Sequence, residues 1–196
     1  RDDTIWHNGK AVMKREDILL PGMHNVENYL AAFAAVDGLV APAAMCSVAR
    51  NFGGVEHRIE PVRELDGVGY YNDSKATNPE SSIKALEAFS DGIVLIAGGH
   101  DKMTDLTEFM TKIKERVTHL ILIGEAAGRF REEAEKMGVA SIIDAGFSME
   151  EAVKIAHEKA KAGEAVVLSP ACSSYDMFNN FEERGREFKR FVHALQ

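Results

Sequence analysis

The chain has 196 residues, of which 45% are apolar and 28% charged, with a net charge of −8. That mix is the one ordinary globular domains carry, and the acidic balance weighs against nucleic acid or an anionic membrane as a general partner. No apolar run approaches the roughly 18 residues that span a bilayer, and Arg1-Asp2-Asp3 does not begin a signal peptide. Two cysteines, Cys46 and Cys172, form neither a disulfide framework nor a metal pattern, as expected of a reducing compartment. The seven histidines are scattered over different predicted elements, so no protein-held transition metal is expected.

In chain order, residues 4–13 read as a hairpin with Asn8-Gly9 as its two-residue turn. Ile18-Leu19-Leu20 before Pro21-Gly22 reads as a strand ending in a breaker. Apolar residues at helical spacing then predict helices over 25–36 and 41–52, the second stopped by Gly53-Gly54. Residues 55–61 read as a connection. From Val62 the pattern becomes a regular alternation, with short apolar strands at 68–71, 93–97, 120–123, 140–143 and 165–168. Helices are predicted between them at 79–89, 105–117, 126–137 and 149–162, Ser148 and Glu151 forming a capping box for the last, and a final helix over 177–195. Such alternation predicts an α/β fold with a Rossmann-like, doubly wound and mostly parallel sheet. The opening third lacks it and reads as the tail of another α/β domain, so the expected division is 1–58 and 59–196. Beginning on Arg1, the chain is expected to be a piece of a longer protein.

Five stretches carry candidate chemistry. Asn72-Asp73-Ser74-Lys75-Ala76-Thr77-Asn78-Pro79 joins a strand to a helix, the place where parallel sheets bind ligands. Its helix mouth favours an anion, and its plainer reading is a capped turn. Gly22-Met23-His24-Asn25-Val26-Glu27-Asn28 puts two asparagines on one face of a helix start, where they can read a base or cap the helix. Arg58 in Glu56-His57-Arg58 either reaches a phosphate with two prongs or is a solvated linker charge. Gly98-Gly99-His100-Asp101-Lys102 brings backbone close to a ligand or is an ordinary glycine turn. It is not a phosphate loop of the Gly-x-x-x-x-Gly-Lys-Ser/Thr type, and no such loop occurs in the chain. The stretch 169–185 adds hydroxyls beside another helix start, with Cys172 read as a packed residue and Phe188 and Phe191 as core.

Together these stretches resemble the Mur ligase family, and the residues following Asp73 resemble its D-glutamate-adding branch. The resemblance covers residues 7 to 195 and implies the later part of an ATP-dependent acid–amino-acid ligase. Such an enzyme is cytoplasmic and monomeric, and serves peptidoglycan precursor and cell-wall synthesis. Its partners are UDP-MurNAc-L-alanine, D-glutamate and ATP, without nucleic acid or membrane. Magnesium accompanies the ATP and is held, like the phosphates, mainly by residues upstream of Arg1, so these 196 residues alone are expected to be inactive. The resemblance assigns His24, Asn25 and Asn28 to the adenine side of the nucleotide, Arg58 to a contact with ATP across the cleft and Asp73 to its ribose. It assigns Lys75 and Lys102 to catalysis, and Thr77, Lys102, Ser174 and Phe181 to D-glutamate. Tyr175 departs from the small aliphatic residue of some relatives. A folylpolyglutamate synthetase-like ligase and a non-catalytic binding module on the same fold remain as alternatives.

Overall fold

The computed structural model describes residues 3–20, 22–89 and 92–196, and for His24 the backbone only. Two compact units divide at Gly54 and Val55. In the first, β1 (Thr4–His7) and β2 (Lys10–Lys14) form the expected antiparallel hairpin. Asn8 and Gly9 take φ of 48° and 76°, the left-handed pair that a two-residue turn needs. Helices α1 (Met23–Ala35) and α2 (Pro42–Asn51) follow, and with the hairpin they bury Ile5, Met13, Ile18, Val26, Tyr29, Cys46 and Ala49. The strand expected from Ile18 is absent. Ile18 instead points into this small core, Leu19 is exposed, and the Leu19 N–H donates to Ala49 O (3.1 Å). The apolar run therefore serves packing between helices and joins no ladder. Pro21 lies outside the described residues.

The second unit holds a six-stranded sheet in the order β3-β4-β8-β5-β6-β7. Strands β4 (Val68–Asn72), β5 (Ile93–Gly98), β6 (Val117–Ile123), β7 (Ile142–Asp144) and β8 (Ala165–Leu168) are parallel, while β3 (Glu60–Leu65) pairs antiparallel with β4 at the edge. The sequence pattern missed β3, because an edge strand with one solvated face reads Glu-Pro-Val-Arg-Glu-Leu, and its Pro61 is tolerated only at an edge. Period-two alternation sends Leu95, Leu120, Leu122 and Val167 to one face, under α3 (Pro79–Glu87), α4 (Thr107–Arg116) and α5 (Ala127–Met137). Val94, Ile96, Ile121, Ile123, Val166 and Leu168 face the other way, under α6 (Met149–Lys159) and α7 (Phe181–Ala194). The doubly wound expectation holds. Ser148 caps α6 by accepting from the Glu151 N–H.

Helix α7 starts four residues later than its apolar pattern suggests, at Phe181 instead of Met177. Asn180 takes the N-cap and accepts from the Glu183 N–H (2.7 Å), while the Met177 and Phe178 N–H groups turn back onto Ser174 O. Phe188 is wholly buried in the core beneath α7. Phe188→Ala should cost about 3–5 kcal/mol through lost transfer energy and a residual cavity. Urea unfolding followed by far-UV circular dichroism checks this, and a loss below about 1 kcal/mol would contradict the packing described.

Candidate functional site

Strands β4 and β8 are adjacent and parallel, yet α3 after β4 and α7 after β8 cover opposite faces. The two loops therefore diverge at the carboxyl ends of their strands and leave a crevice, where open α/β sheets bind ligands. The described polar stretches 72–79, 98–102 and 169–185 all lie on this edge. No helix among the described residues is long and apolar enough to cross a membrane.

One guanidinium ties the edge together. Arg184, in the first turn of α7, is 1% exposed. Its Nε donates to Ser74 Oγ (2.9 Å), Nη2 to Ser74 O (2.8 Å), and Nη1 to Cys172 O (3.0 Å) and Ser173 O (3.1 Å). The Ser74 hydroxyl in turn donates to Phe181 O (2.8 Å). Burial lowers the guanidinium to about 10, which leaves it charged at neutral pH. Ser173 O also accepts the His100 N–H (2.9 Å), joining the loop after β5 to the loop after β8. Gly99 makes that approach possible: it has φ +133°, and a Cβ there would collide with Ser173 O.

Asp73 lies behind this tie, 5% exposed. One carboxylate oxygen accepts the Ile59 N–H (3.2 Å) and the other the Ser169 hydroxyl (2.8 Å), itself 3.0 Å from Ser82 Oγ. Burial dominates these bonds and pushes the carboxyl up from 3.8 to about 7. Both oxygens thus serve the fold, which bears on the ribose role expected of this residue. Cys172 is buried and its thiol is pushed up to about 12 by burial, in keeping with a packed residue.

The cationic groups lie outward. Lys75, Lys102 and Arg58 are exposed, Thr77 and Phe181 are half-buried, and Ser174 is buried. Lys75 Nζ sits 5.8 Å from the Phe181 ring centre, so the loop after β4 and the start of α7 bring Lys75 and Phe181 together. Lys102 projects from a loop braced by the two-pronged Asp101–Arg129 pair (both 2.7 Å) and by Arg129 on Thr104 O (3.1 Å). Asn78 caps α3 by accepting the Ser81 N–H (2.8 Å), so the plainer capped-turn reading is also true. Asn25, buried, and Asn28, exposed, stand on α1 of the first unit. The His24 side chain lies outside the described residues. Tyr175 is exposed.

Arg184 lies within the stretch 169–185, and the sequence reading gives it no role. The signal was present: an arginine four residues before Phe188 and eight before Val192, on the stripe α7 buries. His57 reads as linker in the sequence, yet it is 3% exposed, with Nδ1 2.9 Å from Asn72 Nδ2. The fold gathers Glu56, His57 and Glu60 with ligand atoms within 4.8 Å of one another, a grouping that includes one histidine.

The model of the Mur ligase family's glutamate ligase domain matches residues 57–172. The chain belongs to the Mur ligase family. This Mur ligase chain is 49% identical, over 98% of its length, to a UDP-N-acetylmuramoylalanine--D-glutamate ligase of Thermoanaerobacter sp. (strain X514), and covers 43% of that protein. It is 43% identical, over its whole length, to the ligase of the same name from Clostridium perfringens, again covering 43%. The chain thus spans less than half the length of these relatives. Its fold matches the crystal structure of UDP-N-acetylmuramate-alanine ligase from Thermotoga maritima (TM-score 0.65, 19% identity, 90% of this chain and 39% of that one). It also matches Mycobacterium tuberculosis folylpolyglutamate synthase complexed with ADP and AMPPCP (TM-score 0.65, 14% identity, 86% and 41%).

The Asp73 carboxyl gives this Mur ligase domain a testable pH signature. Its folded-state pKa, about 7, stands above its ordinary 3.8. The group therefore favours folding fully below the lower value, and that contribution fades as pH rises through the upper one. Denaturant midpoints of wild type and Asp73→Asn should diverge between pH 4 and 7, wild type losing ground as pH rises. A difference constant over that window would show the carboxyl to be unperturbed.

Proposed function

We propose that the chain is the C-terminal portion of an ATP-dependent ligase that joins D-glutamate to UDP-MurNAc-L-alanine in peptidoglycan precursor synthesis. The observation carrying this reading is the 49% identity, over 98% of this chain, to a protein bearing that activity in its name. The fold likeness to a folylpolyglutamate synthase does not compete with it, because at 14% identity it reports architecture alone.

In this reading residues 59–196 form the acceptor domain, and 1–58 the end of the nucleotide-binding domain with its connection. Lys102, Thr77, Ser174 and Phe181 receive D-glutamate. A dicarboxylate amino acid suits a crevice whose exposed side chains include Lys75 and Lys102, each able to face a carboxylate as a point charge. Arg58 and Asp73 serve the nucleotide, with Arg58 supplying the accessible charge and Asp73 holding backbone beside it. His24, Asn25 and Asn28 serve the adenine side. The reaction transfers the ATP γ-phosphoryl to the L-alanine carboxylate. The D-glutamate amine then attacks the acyl carbon, an amide bond forms, the amine proton is lost and phosphate departs. Magnesium would neutralise the transferring phosphates. The contribution of this chain is to orient the amine and hold the acceptor carboxylates.

Lys102→Ala in the full-length protein should raise the KM for D-glutamate by about tenfold or more, while the KM for ATP moves by less than about twofold. Phosphate release followed at varied D-glutamate and varied ATP measures both. An effect confined to ATP would remove Lys102 from the acceptor site.

A further inference from the structure

Residues 56–60 make a turn whose only job in a linker would be to connect, yet it is among the most constrained segments of the second unit. His57 and Ile59 both sit at positive φ, +67° and +43°. A β-branched residue in that region is a genuine outlier that survives only where its surroundings enforce it. Between them stands Arg58, exposed.

The enforcing contacts are all present. The His57 N–H donates to Glu60 Oε2 (3.0 Å), the Ile59 N–H to Asp73 Oδ1 (3.2 Å), and His57 O accepts the Lys75 N–H (3.0 Å). The Asn72 amide donates to Glu60 Oε2 (2.9 Å) and lies 2.9 Å from His57 Nδ1. Since that amide nitrogen can only donate, Nδ1 accepts and the imidazole proton rests on Nε2. Nε2 is buried without a hydrogen-bond partner, and its nearest carboxylate oxygen, Glu56 Oε1, is 3.6 Å away.

Helix α7 supplies the platform. Phe181, Gly185 and Lys189 recur every four residues and form one row facing the turn. The Phe181 ring meets the His57 ring edge-on, 5.8 Å between centres. Gly185 leaves room for it, because a Cβ there would strike His57 Nδ1. Lys189 closes the row, its Nζ 2.7 Å from Glu56 Oε1 and 2.9 Å from Glu60 Oε1. Glu56, His57 and Glu60 are a set of donors a divalent cation could take. The tethered ammonium already lies on both carboxylates, so the cluster carries its own cation.

We infer that Lys189 is a positioning residue: by neutralising Glu56 and Glu60 it holds the strained turn on α7 and so fixes the direction in which Arg58 is presented. Without the ammonium the two carboxylates repel, and Glu60 is the acceptor that holds both the His57 N–H and Asn72. The turn can then relax toward ordinary φ and carry Arg58 away. The inference rests on the assignment of Arg58 to the nucleotide made above.

Lys189→Met in the full-length protein should raise the KM for ATP about tenfold and leave that for D-glutamate within about twofold. Lys189→Arg should restore most of the loss, and Lys189→Met should add nothing in an Arg58→Ala background, as coupled sites require. Amide exchange at His57 and Ile59 should quicken about tenfold or more in Lys189→Met. A rise in both KM values alike, or a Lys189→Met effect that adds in full to that of Arg58→Ala, overturns the positioning role. An unchanged KM for ATP in Arg58→Ala overturns the nucleotide reading of Arg58 instead. The positioning role is then decided by exchange alone, and unchanged rates at His57 and Ile59 overturn it.

Discussion

A cation buried without a carboxylate against it governs the carboxyl edge of this sheet. Removing a guanidinium from water costs several kcal/mol, and Arg184 offsets that with bonds to three carbonyls and one hydroxyl. Each such charge-assisted bond contributes about 1.5–3 kcal/mol. Burial lowers its pKa, while the carboxylates of Asp176 and Asp73 hold it up from further away. The Cys172 thiol, pushed to about 12, is neutral and adds no charge. The consequence is geometric. The loop after β4, the loop after β8 and the start of α7 share one set of donors, so none can shift without leaving a buried carbonyl unpaired.

Helix α7 transmits that constraint outward. Arg184, Phe188 and Val192 fall on one row and are buried, anchoring the helix to the sheet. Phe181, Gly185 and Lys189 fall on the adjacent row and receive the turn that carries Arg58. A single helix therefore sets both the aromatic wall beside Lys75 and the strained segment around Arg58. The Lys75 N–H donates to His57 O, and the Asp73 carboxylate bonds to that turn at Ile59 and to the loop after β8 at Ser169.

Much of this was legible in the sequence because burial leaves a period. Strands β4 to β8 and the helices between them follow apolar runs, and the glycine and asparagine punctuation of the loops located the crevice. The failures share one physical cause: polar atoms used for structure look like polar atoms used for solvation. Strand β3 reads as a charged connection because only one of its faces packs. Arg184 falls on the stripe that α7 buries, but its role is hidden because its partners are backbone carbonyls from distant loops. His57 reads as linker because its burial depends on Gly185, 128 positions away in sequence. Apolar periodicity overreached in the opposite way at Met177 and Ile18, where a competing cap or a nearby helical core claimed the residues first.

What emerges is a separation between the charges that build the site and those it offers. Arg184, Asp73 and Asn72 are buried and spent on one another's loops. Lys75, Lys102 and Arg58 are exposed on turns that those buried groups hold still. In a chain of net charge −8, these three exposed cations stand on turns at one sheet edge. An anion drawn there meets side chains whose flexible stems are long but whose backbones are fixed by Arg184, by the Asp101–Arg129 pair and by the Lys189 row. Lysine and arginine lose rotamer freedom when they close on a ligand. A rigid backbone beneath them keeps that loss confined to the side chain, and lets the ligand's charge, not the ordering of a loop, decide the affinity.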